Sequence, residues 1–152
     1  MTYVAGEARQ ELLDTVAQAA DALSAALASL GEAFDLLDDH AGEQLEDQLF
    51  RPLQVAYGRA RRTHTEFATR VGLPTRQFTP AEGGHPSQGV MGFLDAAVES
   101  IEEADDILSE LQDSLLPVEV GDQEVRSGIS EVRRIIGELP DRGRRFEGLV
   151  GR

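Results

Sequence analysis

The side chains in this sequence that could do chemistry are three histidines and 28 carboxylates. The chain has no cysteine, which excludes thiolate metal sites and cysteine nucleophiles. A metal site in a helical protein would instead need histidines and carboxylates that project inward from several helices. His40, Glu43 and Asp47 have the spacing i, i+3, i+7 of one helix face, but we interpret them as the solvated start of a helix. His85 has no partner nearby in the sequence.

The third histidine, His64, lies within RARRTHTEF (residues 59–67), a basic stretch in a chain whose formal net charge is −14. We favour a structural interpretation, in which His64 lies on an apolar helix face. Glu66 then has Arg62 and Arg70 at i,i+4 spacing, which lets opposite charges pair. The alternative is a basic docking patch for an acidic partner or a phosphate, formed by Arg59, Arg61, Arg62, Arg70 and Arg76.

A series of carboxylates with helical spacing occupies residues 95–113. It consists of Asp95, Glu99, Glu102, Glu103, Asp106, Glu110 and Asp113. Spacings of three and four residues place these side chains along the outer face of one helix, over about five turns. One interpretation is a solvated helix face, and the other is a docking surface for a basic partner.

No arrangement of residues in the sequence is typical of an enzyme. There is no nucleophile paired with a base, no phosphate-binding loop and no dinucleotide fingerprint. The glycine-rich run at residues 137–151 does not follow a strand pattern, so it lacks the context that such motifs need. We therefore expect a protein without catalytic activity and without a cofactor.

The bulk composition sets the class of protein. A chain of 152 residues is long enough for one domain with a real core, and its hydrophobic fraction of 41% is far above that of a disordered chain. The net charge argues against binding nucleic acid or anionic lipid, and no stretch is apolar enough to be a membrane helix. Without a secretory signal pattern we expect a cytoplasmic protein. Arginine is used throughout in place of lysine, which indicates GC-rich, bacterial codon usage.

Four segments carry apolar residues at alternating spacings of three and four, the pattern of helices that pack along one face. The first seam is Leu13, Val16, Ala20, Leu23, Leu27, Leu30, Phe34 and Leu37, widened on one flank by Leu12, Ala19, Ala26 and Ala33. The second is Leu53, Tyr57, Ala60, His64, Phe67 and Val71. The third is Leu94, Ala97, Ile101, Ala104, Leu108, Leu111 and Leu115, and the fourth is Val125, Ile129, Val132, Ile136 and Leu139.

These seams predict a single all-α domain, a four-helix bundle of long, heptad-patterned, antiparallel helices. The expected helices are residues 6–39, 43–71, 87–116 and 121–150, with one long loop at residues 72–89. We expect the first break at residues 40–42, because Gly42 can end a helix. Prolines lack a backbone N–H, so we expect a kink near Pro52 and a kink or a break near Pro140. Pro117 should end the third helix.

The loop at residues 72–89 contains three prolines and four glycines in 18 residues. Fully extended, it could span about 55 Å at about 3.3 Å per residue. Both an up-down order of the helices and a crossover order therefore stay open. Ser87 is the expected N-cap of the third helix.

Charge alternates between the four segments. Residues 1–50 carry 11 acids and one arginine, residues 51–80 one acid and six arginines, residues 81–124 12 acids and no base, and residues 125–152 four acids and seven arginines. In an up-down bundle, neighbours in sequence are neighbours in space. Every adjacent pair of helices would then be opposite in charge. Exposed ion pairs contribute only about 0–1 kcal/mol each, so we expect the seams to supply the stability.

We interpret the chain as a non-catalytic protein–protein interaction module, such as an adaptor, a regulator or a small assembly subunit. Its expected partner-binding surfaces are the carboxylate series at residues 95–113, Phe78 of the loop, and Arg59 with Arg62. The alternative class is a ligand- or metal-binding bundle with a pocket around His64 and Tyr57. The seams could also pair between two copies of the chain, which would give a homodimer.

Overall fold

The computed structural model describes residues 2–83 and 89–151. Every regular element within these ranges is a helix and none is a strand, which confirms the all-α prediction. The elements are α1 (Thr2–Asp35), α2 (Asp39–Leu45), a π-helical segment (Glu46–Phe50), α3 (Arg51–Val71), α4 (Gly89–Asp113), α5 (Leu116–Glu119), α6 (Gln123–Ile136) and α7 (Leu139–Val150). The predicted cap Ser87 and the loop histidine His85 lie outside the described residues.

Five of these helices pack against one another around one core. The helix α1 packs along α4 and α3, α3 packs on α6, and α4 contacts both α6 and α7. Arg70, near the end of α3, pairs with Asp122 at the start of α6. Arg59, earlier in α3, pairs with Glu131, which comes later in α6. The helices α3 and α6 therefore run in opposite directions.

The arrangement corrects part of the expectation that neighbours in sequence pack side by side with opposite charge. The acidic α1 does pack on the arginine-bearing α3, and the acidic α4 does contact α6 and α7, but the remaining pairs differ. The two acidic helices, α1 and α4, share the most extensive contact, and the arginine-bearing α3 and α6 also pack together. The consecutive helices α3 and α4 make at most marginal contact within the described ranges. The intervening loop runs along α1, where Arg76 pairs with Asp21 and the Ala81 N–H donates to Ser24 Oγ. The helices therefore follow a crossover order.

Like charge does not keep α1 and α4 apart, because the core side of each helix is apolar. Ala19, Ala26 and Ala33 of α1 are fully buried, and small side chains let a neighbouring helix approach closely. The acids of both helices lie off these buried stripes. Two residues of the predicted seams do not join the core, since Phe34 is 44% exposed and Leu115 is 64% exposed.

The break after α1 lies at residues 36–38, not at residues 40–42 as predicted. Asp38 Oδ1 accepts the Ala41 N–H over 2.8 Å, so Asp38 caps a new helix before the glycine is reached. Gly42 is buried inside α2, where an added Cβ would lie 3.1 Å from the ring of Phe34. This glycine makes room for an aromatic ring and does not end a helix.

At Pro52, where the sequence predicts a kink, the structure has a π-helical segment that passes directly into α3. Pro52 has no N–H to donate to the Gln48 carbonyl four residues earlier. Arg142 of α7 donates to that carbonyl instead, over 3.2 Å. A side chain from another helix thus satisfies the acceptor that the proline leaves free.

The last two expected helices are each divided near a proline. The helix α4 ends at Asp113, three residues before the predicted end, and Pro117 lies in the first turn of the short helix α5. The helices α6 and α7 are separated by residues 137–138, so the fourth segment is broken. Pro140 lies in the first turn of α7, where a helix needs no N–H donor.

Candidate functional site

Five of the seven predicted carboxylates form an acidic stripe along α4. The stripe consists of Glu99, Glu103, Asp106, Glu110 and Asp113, all of which are exposed. In the parts of the chain that the structure describes, none of the five has an arginine within ion-pair distance. Their spacing of four, three, four and three residues keeps them in one narrow sector of an α-helix with 3.6 residues per turn.

The other two carboxylates of the series, Glu102 and Asp95, lie towards α7. Arg144 of α7 donates to Glu102 over 2.8 Å. Asp95 lies beside Glu147, and burial of Glu147, together with its contact with Asp95, raises the pKa of Glu147 to about 7. Spacing alone could not separate these two residues from the stripe, because they share its helical period.

The structure divides the predicted basic patch, because two of its arginines connect α3 to α6. Arg59 pairs with Glu131 over 3.3 Å. Arg70 holds Asp122 through two hydrogen bonds of 2.6 and 3.0 Å. Asp122 also caps α6 by accepting the Val125 N–H. The hydrogen bond from Arg70 lowers the pKa of Asp122 and makes this carboxylate part of the fold.

The expected i,i+4 pairs of Glu66 with Arg62 and Arg70 are absent from the described residues, since Arg70 is turned towards α6. Arg61 lies over the ring of Tyr57, with 4.5 Å from the guanidinium carbon to the ring centre, in a cation–π contact. Arg62 is exposed on the same helix. Only Arg61 and Arg62, of the five arginines in the patch, have no carboxylate partner in the described ranges.

Phe78 is half-buried and fixes the loop to α3. Its ring meets the ring of His64 edge to face, with 5.3 Å between the ring centres. The guanidinium of Arg76 lies over Phe78 at 4.8 Å and pairs with Asp21 of α1 over 2.9 Å. The loop is therefore held on both α1 and α3 at this point.

His64 does not line the groove that Tyr57 lines. His64 is 3% exposed, and its Nδ1 has no hydrogen-bond partner among the described residues. Burial, aided by the charge of Arg76 and opposed by Asp14, lowers the pKa of His64, so its ring is neutral at pH 7. Tyr57 lines a separate groove of about 430 Å³ between α1, α3 and the loop. Across residues 2–83 and 89–151, no three histidine or carboxylate side chains are placed to share one metal ion.

Sequence reasoning missed a groove of about 490 Å³ near the C-terminal end of α1. The seam predicts Phe34 in the core, yet this side chain is partly exposed and lines the groove. The capping residue Asp38 is the signal that could have indicated it. Its cap starts α2 early, and the chain therefore turns away while Phe34 is still at the surface.

None of the helices in the described ranges combines the length and the hydropathy that crossing a bilayer requires. Comparisons of the chain with protein-family models, with curated proteins and with solved structures find no match. Conclusions about function therefore depend on the geometry of the chain itself.

Proposed function

We propose that this protein is a non-catalytic interaction module that binds a basic protein partner along the acidic stripe of α4. The observation that carries the proposal is a contrast between helix faces. Where α3, α6 and α7 meet their neighbours, arginines and carboxylates are paired, as in Arg133 with Asp105 over 2.9 Å. The five carboxylates of the stripe face solvent without such partners in the described chain.

The like charges of the stripe destabilise α4 in the free protein, and a basic partner would remove this destabilisation. Like charges at i,i+3 and i,i+4 destabilise a helix by about 0.2–0.5 kcal/mol per pair. Four successive pairs along the stripe therefore cost roughly 1–2 kcal/mol. Salt screens them incompletely, because neighbouring side chains are about 5–6 Å apart and the screening length at physiological ionic strength is about 8 Å.

A partner segment with lysines or arginines at matching intervals would neutralise the stripe along its whole length. The stripe runs over the 15 residues from Glu99 to Asp113, which cover about 21 Å of helix from the first Cα to the last. This length suits a basic helix or an extended basic segment. Complementary charge of this kind mainly raises the rate of association and the selectivity, so binding should weaken as salt rises.

In the same proposal, the five packed helices form a four-helix bundle in which α6 and α7 together occupy the fourth position. Two observations support this arrangement: the contacts of α4 with both α6 and α7, and the ion pairs that join them. A bundle would hold α4 rigidly and fix the spacing of the stripe.

The test uses a charge reversal at Glu99, Glu103 and Asp106, each changed to Lys. The immobilised protein is exposed to lysate at moderate salt, and retained proteins are identified for the wild type and for each variant. We expect the reversal to abolish retention of the basic partner while circular dichroism shows an unchanged helix content. Retention of the same partner by the reversed stripe would contradict the proposal.

The chain offers a matched control on α1. Glu7, Glu11 and Asp14 are exposed and have the same spacing of four and three residues. Changing all three to Lys alters the net charge by the same amount as the stripe reversal. Partner retention should survive this control. Loss in both variants would point to a bulk charge effect and would also count against the stripe.

A second candidate is a ligand- or metal-binding bundle, and the unpartnered Nδ1 of the buried His64 favours it. Buried polar atoms usually have a hydrogen-bond partner, so a missing one needs an explanation. Titration with Zn²⁺ and Ni²⁺, followed by the melting temperature and by the His64 ring signals in NMR, tests it. If the metals change neither the melting temperature nor the His64 signals, this candidate is excluded.

A further inference from the structure

The groove near the C-terminal end of α1 has the size and the walls of a small-molecule site. Its volume of about 490 Å³ falls within the range of about 300–1,000 Å³ typical of ligand pockets. The rings of Phe34 and Phe50 form apolar walls. Ala28 and Gly31 of α1 leave the floor open, because their side chains are small or absent.

The charged side chains that line the groove are carboxylates. Glu32, Asp35 and Glu46 line it, and none of its lining residues in the described ranges is an arginine. Arg51 pairs with Glu46 over 3.8 Å, and both side chains are well exposed to solvent. A positive charge on the occupant would therefore meet three carboxylates, whereas a negative charge would be repelled.

The π-helical segment contributes two residues to the same groove. Glu46 and Phe50 are its first and last residues, and both line the groove. A π-helix is hydrogen-bonded from residue i to residue i+5. Segments of π-helix are rare in proteins, and those that occur often lie at functional sites. Here it puts a carboxylate and an aromatic ring in the same wall.

The apolar part of the groove continues beyond Phe50. The neighbouring groove of about 430 Å³ shares Ala28, Phe50 and Ala81 with it and extends to Leu27 and Tyr57. Arg61 also lines this second groove, at its far end, where its guanidinium lies over the Tyr57 ring. The loop forms one wall and is fixed there, since the Ala81 N–H donates to Ser24 Oγ over 2.9 Å. An occupant could place a charged head near the carboxylates and an apolar body past Phe50.

We infer that this groove binds a small organic cation, an amine or quaternary ammonium group carried on an apolar body. The carboxylates supply charge complementarity, and the two phenylalanine rings suit a cation that has lost part of its water. The groove is built from α1, the π-helical segment and the loop, whereas the acidic stripe lies on α4. The inference therefore stands or fails separately from the proposed partner surface.

The first experiment compares two probes with the same tail and opposite heads. Octyltrimethylammonium and octanoate, both below the concentration at which they form micelles, are titrated into the full chain by calorimetry. The cation should bind saturably and about tenfold or more tightly than the anion, with an affinity that falls as salt rises. No saturable binding of the cation, or equal binding of the two probes, would overturn the inference.

The second experiment closes the groove without disturbing the fold. A Cβ at Gly31 would meet no atom within 4 Å, and Gly31 lines the groove, so the rest of the Gly31→Leu side chain has the groove volume to occupy. Leucine also favours a helix more than glycine does, so the variant should fold. We expect it to weaken binding of the cation by about tenfold or more, because the leucine occupies the ligand volume.

Gly6→Leu is the matched control for the closed groove. Gly6 lies on the same helix, meets no atom within 4 Å of an added Cβ, and does not line the groove. Binding of the cation should be unchanged in this variant. Glu46→Gln, which keeps the shape of the groove, should reduce the preference for the cation over octanoate. Binding that is insensitive to both Gly31→Leu and Glu46→Gln would place the ligand elsewhere and refute the site.

Discussion

The contact between α6 and α3 at Gly128 provides a sharp test of the crossover order. A Cβ added to Gly128 would overlap Thr63 Oγ1 and would lie 2.7 Å from Thr63 Cγ2 and 3.0 Å from Thr63 Cβ. Thr63 cannot swing aside easily, since it is buried and β-branched and its hydroxyl donates to the Arg59 carbonyl over 2.8 Å. Gly128→Ala must therefore push the two helices apart or strain the threonine.

Two opposing effects set the magnitude. Overpacking a core position costs about 1–3 kcal/mol, whereas alanine is favoured over glycine inside a helix by about 1 kcal/mol. Gly128→Ala should therefore lower the free energy of unfolding by about 0–2 kcal/mol. In the Thr63→Ala background the overlapping Oγ1 and Cγ2 atoms are gone. The same substitution should then raise the free energy of unfolding by up to about 1 kcal/mol.

The assay is a double-mutant cycle, with urea unfolding followed by circular dichroism. The coupling free energy between the two substitutions should be about 1–3 kcal/mol, because Thr63→Ala relieves the overpacking that Gly128→Ala creates. Gly31→Ala is the matched control, because a Cβ at that helix position meets no atom within 4 Å. It should stabilise the protein equally in both backgrounds.

The absence of coupling would refute the reasoning. If Gly128→Ala stabilised the protein as much as Gly31→Ala does, α6 could not pack on α3 at Thr63. An up-down order would place these two helices diagonally and would predict no coupling between the two positions. The cycle therefore separates the two orders.

The remaining predictions concern single charges and the loop. Glu147→Gln should raise the melting temperature at about pH 8 and leave it nearly unchanged at about pH 5. The pKa of Glu147 is raised to about 7, so protonated Glu147 contributes to the stability of the folded protein. This contribution is lost as pH rises through that pKa, and glutamine, which stays neutral, does not lose it. Asp122→Ala should cost about 1–2 kcal/mol at neutral pH, through the lost helix cap and the lost Arg70 pair. Because the pKa of Asp122 is lowered from 3.8, this cost should persist until acid protonates the native carboxylate, as urea unfolding across pH would measure. Phe78→Ala should bring the pKa of His64 up towards its usual 6.5, because part of the burial that lowers this pKa is removed. An unchanged NMR titration of His64 would contradict the packing of the Phe78 ring on the His64 ring.

The apolar segments could be predicted from the sequence because burial repeats with the helical period. In α3, Leu53, Ala60 and Phe67 are nearly fully buried at spacings of seven residues. The ends of helices depend on single side chains, and these were harder to predict. Asp38 starts α2 before Gly42 could end α1, and a cap outweighs a glycine when the cap comes first.

The order of the helices could not be predicted from the same pattern. An apolar seam packs against any other apolar seam, so spacing does not choose neighbours. Charge counted by segment agrees with the packing of α1 on α3 and of α4 on α6 and α7, but it did not indicate the contacts of α1 with α4 and of α3 with α6. Most carboxylates of α1 and α4 lie away from the faces that pack. The choice is visible in individual contacts such as Gly128 against Thr63 and Arg133 with Asp105, which join residues far apart in sequence.

The same pairing explains why both proposed sites are acidic. Most of the arginines that contact carboxylates do so where elements meet, as Arg59, Arg70, Arg133 and Arg144 do. In a chain with a net charge of −14, most of the surface charge that remains unneutralised is negative, with Arg61 and Arg62 among the exceptions in the described ranges. Salt should therefore weaken binding at the stripe and at the groove alike, and salt dependence alone cannot tell them apart. The shapes of the two sites do distinguish them, because a convex helix face binds a large basic partner whereas a concave apolar groove admits a small cation. Gly31→Leu should consequently weaken cation binding and leave the partner bound, whereas reversal of the stripe should release the partner and leave cation binding unchanged.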